Sequence, residues 1–266
     1  MLGKLLKHEW KATARLVLPL YLVLAVFTLI SALILRVEFL PRTGVFVLIQ
    51  GFLMLGYGLS IAAILLMTLV TQVLRFYKNL MTDEGYLMFT LPVKTHQLIT
   101  SKLLIAFAWS ILSTLAVAAS LLAVLGTPAN LVQLSAGWQQ FQQNSQIMFG
   151  MSGSSFVAVM CGGIAVSLVN SILMIYASIA LGQLAGKHRV LCSFAAYVVL
   201  YTIVQILAMV AIAAMGLPLN NRPMDVTSMA SFIHLMMAVS IGLAAALSAV
   251  YYWGTQFILK KKLNLE

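Results

Sequence analysis

The sequence contains few charged residues, which make up 8% of its 266 positions, whereas soluble domains carry about 25%. Hydrophobic residues make up 62%. A chain of this composition has too little polar surface to cover a water-soluble globule. The shortage of charge therefore excludes an ordinary soluble enzyme, a disordered protein and a secreted disulfide scaffold, and it favours a membrane protein.

Among the charged residues, acids are scarce. Six Asp and Glu stand against sixteen Lys and Arg, which gives a net charge of +10. In a soluble protein such an excess would suggest nucleic acid, but in a membrane protein the first explanation is the excess of Lys and Arg in cytoplasmic loops. We therefore expect no nucleic-acid partner.

Cysteine is scarce as well. The two cysteines, Cys161 and Cys192, are 31 positions apart, a spacing that matches no metal or redox motif. Both lie in or beside apolar runs, so we expect buried free thiols that act as small hydrophobic residues.

Charged residues divide the chain into long uncharged stretches, one of which covers the 84 residues 103–186. A spanning helix needs about 20 apolar residues, and this stretch is interrupted between residues 126 and 155 by Pro128, two Asn and six Gln. We therefore predict an all-α, polytopic membrane protein with a single transmembrane domain over residues 1–266. The six predicted spans lie at about residues 16–35, 45–74, 103–125, 156–181, 193–215 and 231–254.

Basic residues favour one orientation of these six spans. With a cytoplasmic N-terminus, the outer segments hold three basic residues, Arg36, Arg42 and Arg222. The inner segments hold thirteen: Lys4, Lys7, Lys11, Arg15, Arg75, Lys78, Lys94, Lys102, Lys187, Arg189, Lys260, Lys261 and Lys262. This bias predicts a multi-pass protein of the cell membrane with both termini in the cytoplasm.

The first fifteen residues have the pattern of an amphipathic interface helix. At about 100° per residue one face carries basic residues and the other carries mainly apolar ones. The basic face holds Lys4, Lys7, Lys11 and Arg15, and the opposite face holds Leu2, Leu5, Leu6, Trp10, Thr13 and Val17. Two interpretations are open: an interface helix that touches lipid head groups and a cytosolic partner, or flanking charge with no further role.

The inner connection between the second and third spans, Arg75–Lys102, has 28 residues, although a short loop would suffice to join two antiparallel helices. Thr82 can cap a helix whose first turn holds Asp83 and Glu84, and Pro92 ends it. This predicts a helix of about two turns with exposed aromatic residues. Such a helix either enters a groove on another protein or lies among lipid head groups.

Three segments together resemble the ABC-2 type ABC transporter permeases of Gram-positive bacteria: MLGKLLKHEWKATARLVLPLY, MTDEGYLMFTLPVKTHQLITSKLL and IALGQLAGKHRVLCSFAAY. The likeness covers nearly the whole chain, in the same order and spacing. It implies the type V exporter fold, with an N-terminal connecting helix that includes Lys4, Lys7, Trp10, Lys11 and Arg15. It also implies a coupling helix at about residues 82–92 that docks on a separate ATPase subunit, with Asp83, Glu84, Gly85, Tyr86, Phe89 and Pro92 in the docking site.

The chain has no Walker A motif. The nearest string, Gly182 to His188, has three residues instead of four between its glycines, and His where Ser or Thr should follow the Lys. We expect Gly182 and Gly186 to form a helix end and a tight turn instead. The chain is thus predicted not to be an enzyme and to hold no cofactor or metal, with ATP and Mg²⁺ bound by the partner ATPase.

The predicted spans contain polar residues but no charged residue away from their ends. Ion-coupled carriers commonly place charged residues inside the membrane, so the sequence argues against that class. Four polar residues are candidates for lining a transport pathway, although each could instead hydrogen-bond a neighbouring helix: Gln50, Tyr57, Asn170 and Gln205. The polar outer segment 126–155 is expected to be either a short helical cap or a solvated loop.

These observations predict the transmembrane (permease) subunit of an ATP-binding cassette exporter that moves an amphiphilic peptide, drug or lipid. Its expected partners are a cytosolic ATPase subunit, a second permease subunit in a homo- or heterodimer, and membrane lipids. The alternative is a non-transporting membrane anchor or sensor subunit of an ABC-type regulatory complex.

Overall fold

The computed structural model describes residues 2–36, 44–81, 95–185, 188–216 and 226–261. These residues form seven α-helices, and all of them except the fourth are long and apolar enough to cross a membrane. The helices are α1 Leu2–Arg36, α2 Gly44–Met81, α3 Thr95–Leu125, α4 Pro128–Phe149, α5 Gly153–Gly182, α6 Arg189–Gly216 and α7 Val226–Lys261. The structure therefore confirms an all-helical chain with six helices that could span a membrane.

The first helix is longer than predicted. It runs without a break over 35 residues, so no change of secondary structure separates the predicted interface helix from the first span. Pro19 lies inside α1 and removes the hydrogen bond that its missing N–H would have donated one turn back. The helix continues through this position in spite of the lost bond.

The polar segment after the third predicted span is helical. It forms the 22-residue helix α4, which begins at Pro128, where the fixed φ of proline suits the first helical turn. The backbone N–H of Asn130 donates to the Thr127 hydroxyl at 3.3 Å. Gly150 follows the helix with φ +64°, the left-handed conformation that commonly ends helices.

The chain divides into two compact units, and the first comprises Met1–Phe76 and Gln97–Ser135. Within this unit a buried apolar cluster of Leu24, Tyr57, Ile64 and Val124 packs α1, α2 and α3 together. A second cluster joins α1 to α3 through Val17, Ile105 and Trp109. The three helices of the first unit are thus held by direct packing along their lengths.

The second unit comprises Tyr77–His96 and Ala136–Glu266. Within it α5 packs along both α6 and α7. At the beginning of α5 the Phe149 and Phe156 rings stack with centroids 4.4 Å apart, and Ser152 caps the helix by accepting a hydrogen bond from the Ser155 N–H. His234 of α7 is hydrogen-bonded through Nε2 to the Phe149 carbonyl at 2.6 Å. These contacts connect the last part of α4 to α5 and α7.

The glycine predicted to end a helix does so, because α5 ends at Gly182. A Cβ at this position would collide with the backbone of Ser193 in α6. Gly182 therefore permits the close approach of the end of α5 to the beginning of α6. Gly186 lies outside the described residues.

The expectation of two buried thiols was wrong. Both cysteines are free, but Cys161 is exposed and Cys192 is partly exposed. Apolar neighbours in the sequence do not determine burial here, because the side chains of spanning helices can face lipid as well as protein.

Replacing Gly182 by alanine should lower the thermal unfolding midpoint of the purified protein in detergent. The added Cβ meets the backbone N and Cα of Ser193 as well as its hydroxyl, so rotation of the side chain cannot relieve the clash. Such overpacking typically costs about 1–3 kcal/mol. Gly162→Ala is the matched control in the same helix, because a Cβ there has no neighbour within 4 Å. Equal midpoints for the two variants would contradict the close approach.

Candidate functional site

The predicted ATPase-docking site lies outside the described residues. This applies to all six of its members, Asp83, Glu84, Gly85, Tyr86, Phe89 and Pro92. The docking role of residues 82–92 therefore stays a prediction from the sequence.

The predicted interface residues all lie on α1. The side chains of Lys4, Lys7, Lys11 and Arg15 are exposed. Trp10 is 39% exposed and stacks on Trp109 of α3, with ring centroids 4.7 Å apart. One side of this helix segment therefore packs on α3 while its basic residues remain accessible.

An ionic cluster that the sequence analysis did not identify joins α1, α2 and α3. The Glu9 carboxylate accepts a hydrogen bond from Arg75 Nε on Oε2 at 3.0 Å and one from Lys102 Nζ on Oε1 at 2.7 Å. The side chains of Lys102 and Glu9 are 3% and 5% exposed, and that of Arg75 is 19% exposed. We call these three residues the ionic triad.

The triad has unequal charges, with two cations on one carboxylate. Burial disfavours the charged form of Glu9, but the charges and hydrogen bonds of Lys102 and Arg75 outweigh it. The pKa of Glu9 therefore lies below its ordinary value. Glu9 lies outside the uncharged run Leu16–Leu35 of the first predicted span. Breaking a buried ion pair by removing one partner typically costs about 3–5 kcal/mol, because an uncompensated charge remains.

Glu9 could have been identified from the sequence. At about 100° per residue it falls among Thr13, Leu6 and Leu5, on the mainly apolar face of the first fifteen residues. It is also the one acidic residue within the part of the chain that the structure describes. An isolated acid on an apolar face of a helix indicates a buried partner cation, but the pattern along α1 does not say which cation.

Polar side chains of the first unit pair across the helices next to the triad. The Ser113 hydroxyl lies 2.8 Å from both Tyr21 Oη and Thr68 Oγ1, so it connects α3 to α1 and α2. Gln72 of α2 donates to Ser110 Oγ at 2.7 Å. These contacts satisfy polar groups that would otherwise be costly in a hydrocarbon environment.

The structure shows different surroundings for the four candidate pathway residues. Tyr57 is 6% exposed, and its hydroxyl pairs with Ser120 at 3.0 Å, so in this conformation it lies in the core of the first unit. Gln50 is partly exposed. Gln205 is exposed and donates to Tyr201 Oη, one turn before it on α6, at 2.8 Å.

Asn170 borders a cavity of about 220 Å³ within the second unit. Apolar residues of α6 and α7 form most of its wall, including Val204, Ala208, Val239 and Leu243. Ser248 donates a long hydrogen bond of 3.4 Å to Asn170 Oδ1. Among the four candidates, Asn170 is the one that this cavity includes.

In the described ranges, no group of three or more His, Cys, Asp or Glu side chains could hold a metal ion. The comparisons with known proteins give no further information on the site. No family model, no curated protein and no solved structure matches the chain. Membership of the permease family therefore stays a prediction based on the three sequence segments.

The thermal unfolding midpoint of the wild-type protein should fall as the pH is lowered below about 4.3, the ordinary pKa of Glu. Because the folded pKa of Glu9 is lowered, its contribution to stability is complete above the unfolded value and is lost as the pH falls through the folded one. Glu9→Gln removes this contribution, so its midpoint should be lower at neutral pH and should change less over the acidic range.

The control for this experiment is Thr114→Val. The exposed Thr114 hydroxyl donates to the Ser110 carbonyl of its own helix and takes no part in the triad. This variant should keep the pH dependence of the wild type. If Glu9→Gln shows the same acid sensitivity as the wild type, other carboxyl groups cause the loss of stability and the triad does not contribute to it.

Proposed function

We propose that this chain is the permease subunit of an ABC exporter, driven by ATP hydrolysis in a separate cytosolic subunit. The observation that carries the proposal is the position of its charges relative to its six apolar helices. The spans lack charged residues away from their ends, and the described carboxylate, Glu9, lies between the two ends of the Arg75–Lys102 connection. The uncharged runs of the six predicted spans hold no acid that could couple transport to an ion.

The polar groups of the first unit support this proposal. The Ser113 hydroxyl pairs with the hydroxyls of Tyr21 and Thr68, and the Tyr57 hydroxyl pairs with Ser120. They stabilise contacts between helices and provide no charged ion-binding site. Transport through such a subunit then requires an energy source outside the membrane. The long Arg75–Lys102 connection, which resembles a coupling helix, is the candidate site at which the ATPase acts on the permease.

In the proposed mechanism the ATPase docks on residues 82–92. Nucleotide-driven association of two ATPase subunits moves these connections, and the rigid helices convert the movement into rearrangement of the spans. Two permease subunits, identical or homologous, form the pathway for an amphiphilic substrate between them. The protein lies in the cell membrane with both termini in the cytoplasm, as its distribution of basic residues favours.

The docking proposal predicts that, in a pull-down, the wild-type chain retains the ATPase encoded by a neighbouring reading frame. The double variant Glu84→Arg, Phe89→Ala should bind this ATPase with an affinity at least about tenfold lower. Reversing one charge and removing one aromatic ring should disrupt both polar and apolar parts of the contact. The affinity is measured with purified protein in nanodiscs.

The matched control carries the same two changes in the outer connection, at Glu38 and Phe39. It should bind as the wild type does. Equal loss in both double variants would mean that the changes act through folding. Retention by all three proteins would place the docking site elsewhere, and no retention by the wild type would contradict the proposed function.

The proposed orientation predicts which single cysteines a membrane-impermeant maleimide reaches in intact cells. In a background with Cys161→Ala and Cys192→Ala, a cysteine at the exposed Ser135 of α4 should react from outside. A cysteine at the exposed His8 of α1 should react only after the cells have been permeabilised. The opposite labelling pattern would contradict the proposed orientation and indicate that both termini lie outside the cell.

A further inference from the structure

The two cations of the ionic triad are the first and last residues of the 28-residue inner connection predicted from the sequence. In the structure Arg75 lies in α2, which runs to Met81, and Lys102 lies in α3, which begins at Thr95. Glu9 contacts both of them, one through each carboxylate oxygen. A single side chain of α1 therefore joins α2 and α3 within two turns of the helix ends that the connection links.

The geometry and the burial of the contact between Glu9 and the two cations both oppose its separation. Both hydrogen bonds are charge-assisted, a type that is shorter and about twice as strong as a neutral hydrogen bond. Glu9 and Lys102 are 3% and 5% exposed as whole residues, so water does not screen the pair as it would at a surface. Separating Lys102 from the carboxylate would remove the buried acid that neutralises it, which is costly away from water.

The contact continues along α1 and α3. The Trp10 ring stacks on Trp109, Val17 packs in the same cluster as Ile105 and Trp109, and the Tyr21 hydroxyl pairs with Ser113. On α3 the contacting positions 102, 105, 109 and 113 recur every three or four residues, the spacing of one helix face. From Glu9 to Tyr21, therefore, α1 is attached to α3 by successive ionic, aromatic, apolar and hydroxyl contacts.

We propose that Glu9 is the positioning residue that makes α1 move together with both ends of the Arg75–Lys102 connection. A displacement of the connection then reaches α1 through the carboxylate and spreads along it through the contacts with α3. This role rests on the proposed function, since an ATPase supplies the displacement. It assigns the N-terminal segment of α1 a mechanical task in addition to contact with lipid.

The first part of the test uses the chain alone in nanodiscs. Spin labels are placed at the exposed positions His8 of α1 and Leu74 of α2, in the background without Cys161 and Cys192. The distance distribution should be narrow in this background, broader in Glu9→Gln and unchanged in Thr114→Val. The charge swap Glu9→Lys with Arg75→Glu and Lys102→Glu restores both ion pairs with opposite polarity and should narrow the distribution again.

The second part uses the complex with the ATPase subunit. Glu9→Gln should bind the ATPase within about twofold of the wild-type affinity. Its maximal rate of ATP hydrolysis should fall by about tenfold or more at an unchanged KM for ATP, because remote misplacement acts on kcat. A merely structural role would lower the amount of folded complex and not the kcat of the complex that forms at unchanged affinity and KM. The charge swap should recover a substantial part of the rate, because it restores the ion pairs.

The outcomes separate this inference from the proposed function. An unchanged distance distribution and rate in Glu9→Gln, or the same defects in Thr114→Val, would overturn the role of Glu9. Failure of the swap to restore either quantity would also overturn it. If the ATPase does not bind the wild type, the proposed function fails, while the distance measurement still decides whether Glu9 joins the helices. Should Glu9→Gln not fold, Glu9→Asp, which keeps the charge on a shorter side chain, must still broaden the distribution.

Discussion

A buried carboxylate is stable as an anion only where cations share its site, and this constraint determines how three helices meet. Glu9 of α1 satisfies it by accepting hydrogen bonds from Arg75 of α2 and Lys102 of α3. Each cation lies beside an uncharged stretch of its own helix. The triad therefore holds three helices together beside their uncharged stretches, and the stacking of Trp10 on Trp109 reinforces it.

Several other polar groups of the first unit obey a related constraint. In hydrocarbon every polar group needs a partner within the protein, and Tyr57, Thr68 and Gln72 of α2 each find one on α3. These pairs limit the sliding of α2 against α3. A rigid group of helices with one charged contact at the base of a long connection is suited to receive movement from outside the membrane. For this reason the proposed function places the driving reaction on a separate subunit.

The helix content was predictable because it depends on local properties. Long uncharged runs and the charges between them identified six of the helices. The polar segment that forms the seventh, α4, was left open between a helical cap and a solvated loop. The contacts between helices were harder to predict from the sequence. An acid at position 9 indicates a cation, but the choice of Arg75 and Lys102 depends on which helices are neighbours. Tyr57 has the same chemistry whether it lines a pathway or pairs with Ser120, so its burial could not be deduced from its type.

The most direct test of this account is a double-mutant cycle on the free energy of unfolding, with Glu9→Gln, Lys102→Met and their combination. If the two side chains interact as the structure shows, the combined cost should be smaller than the sum of the single costs by at least about 1 kcal/mol. Glu9→Gln removes the carboxylate that neutralises Lys102, so Lys102→Met should cost less in that background than in the wild type. Costs that add within about 0.5 kcal/mol would mean that the pair contributes no coupling, and the central role of Glu9 would be contradicted.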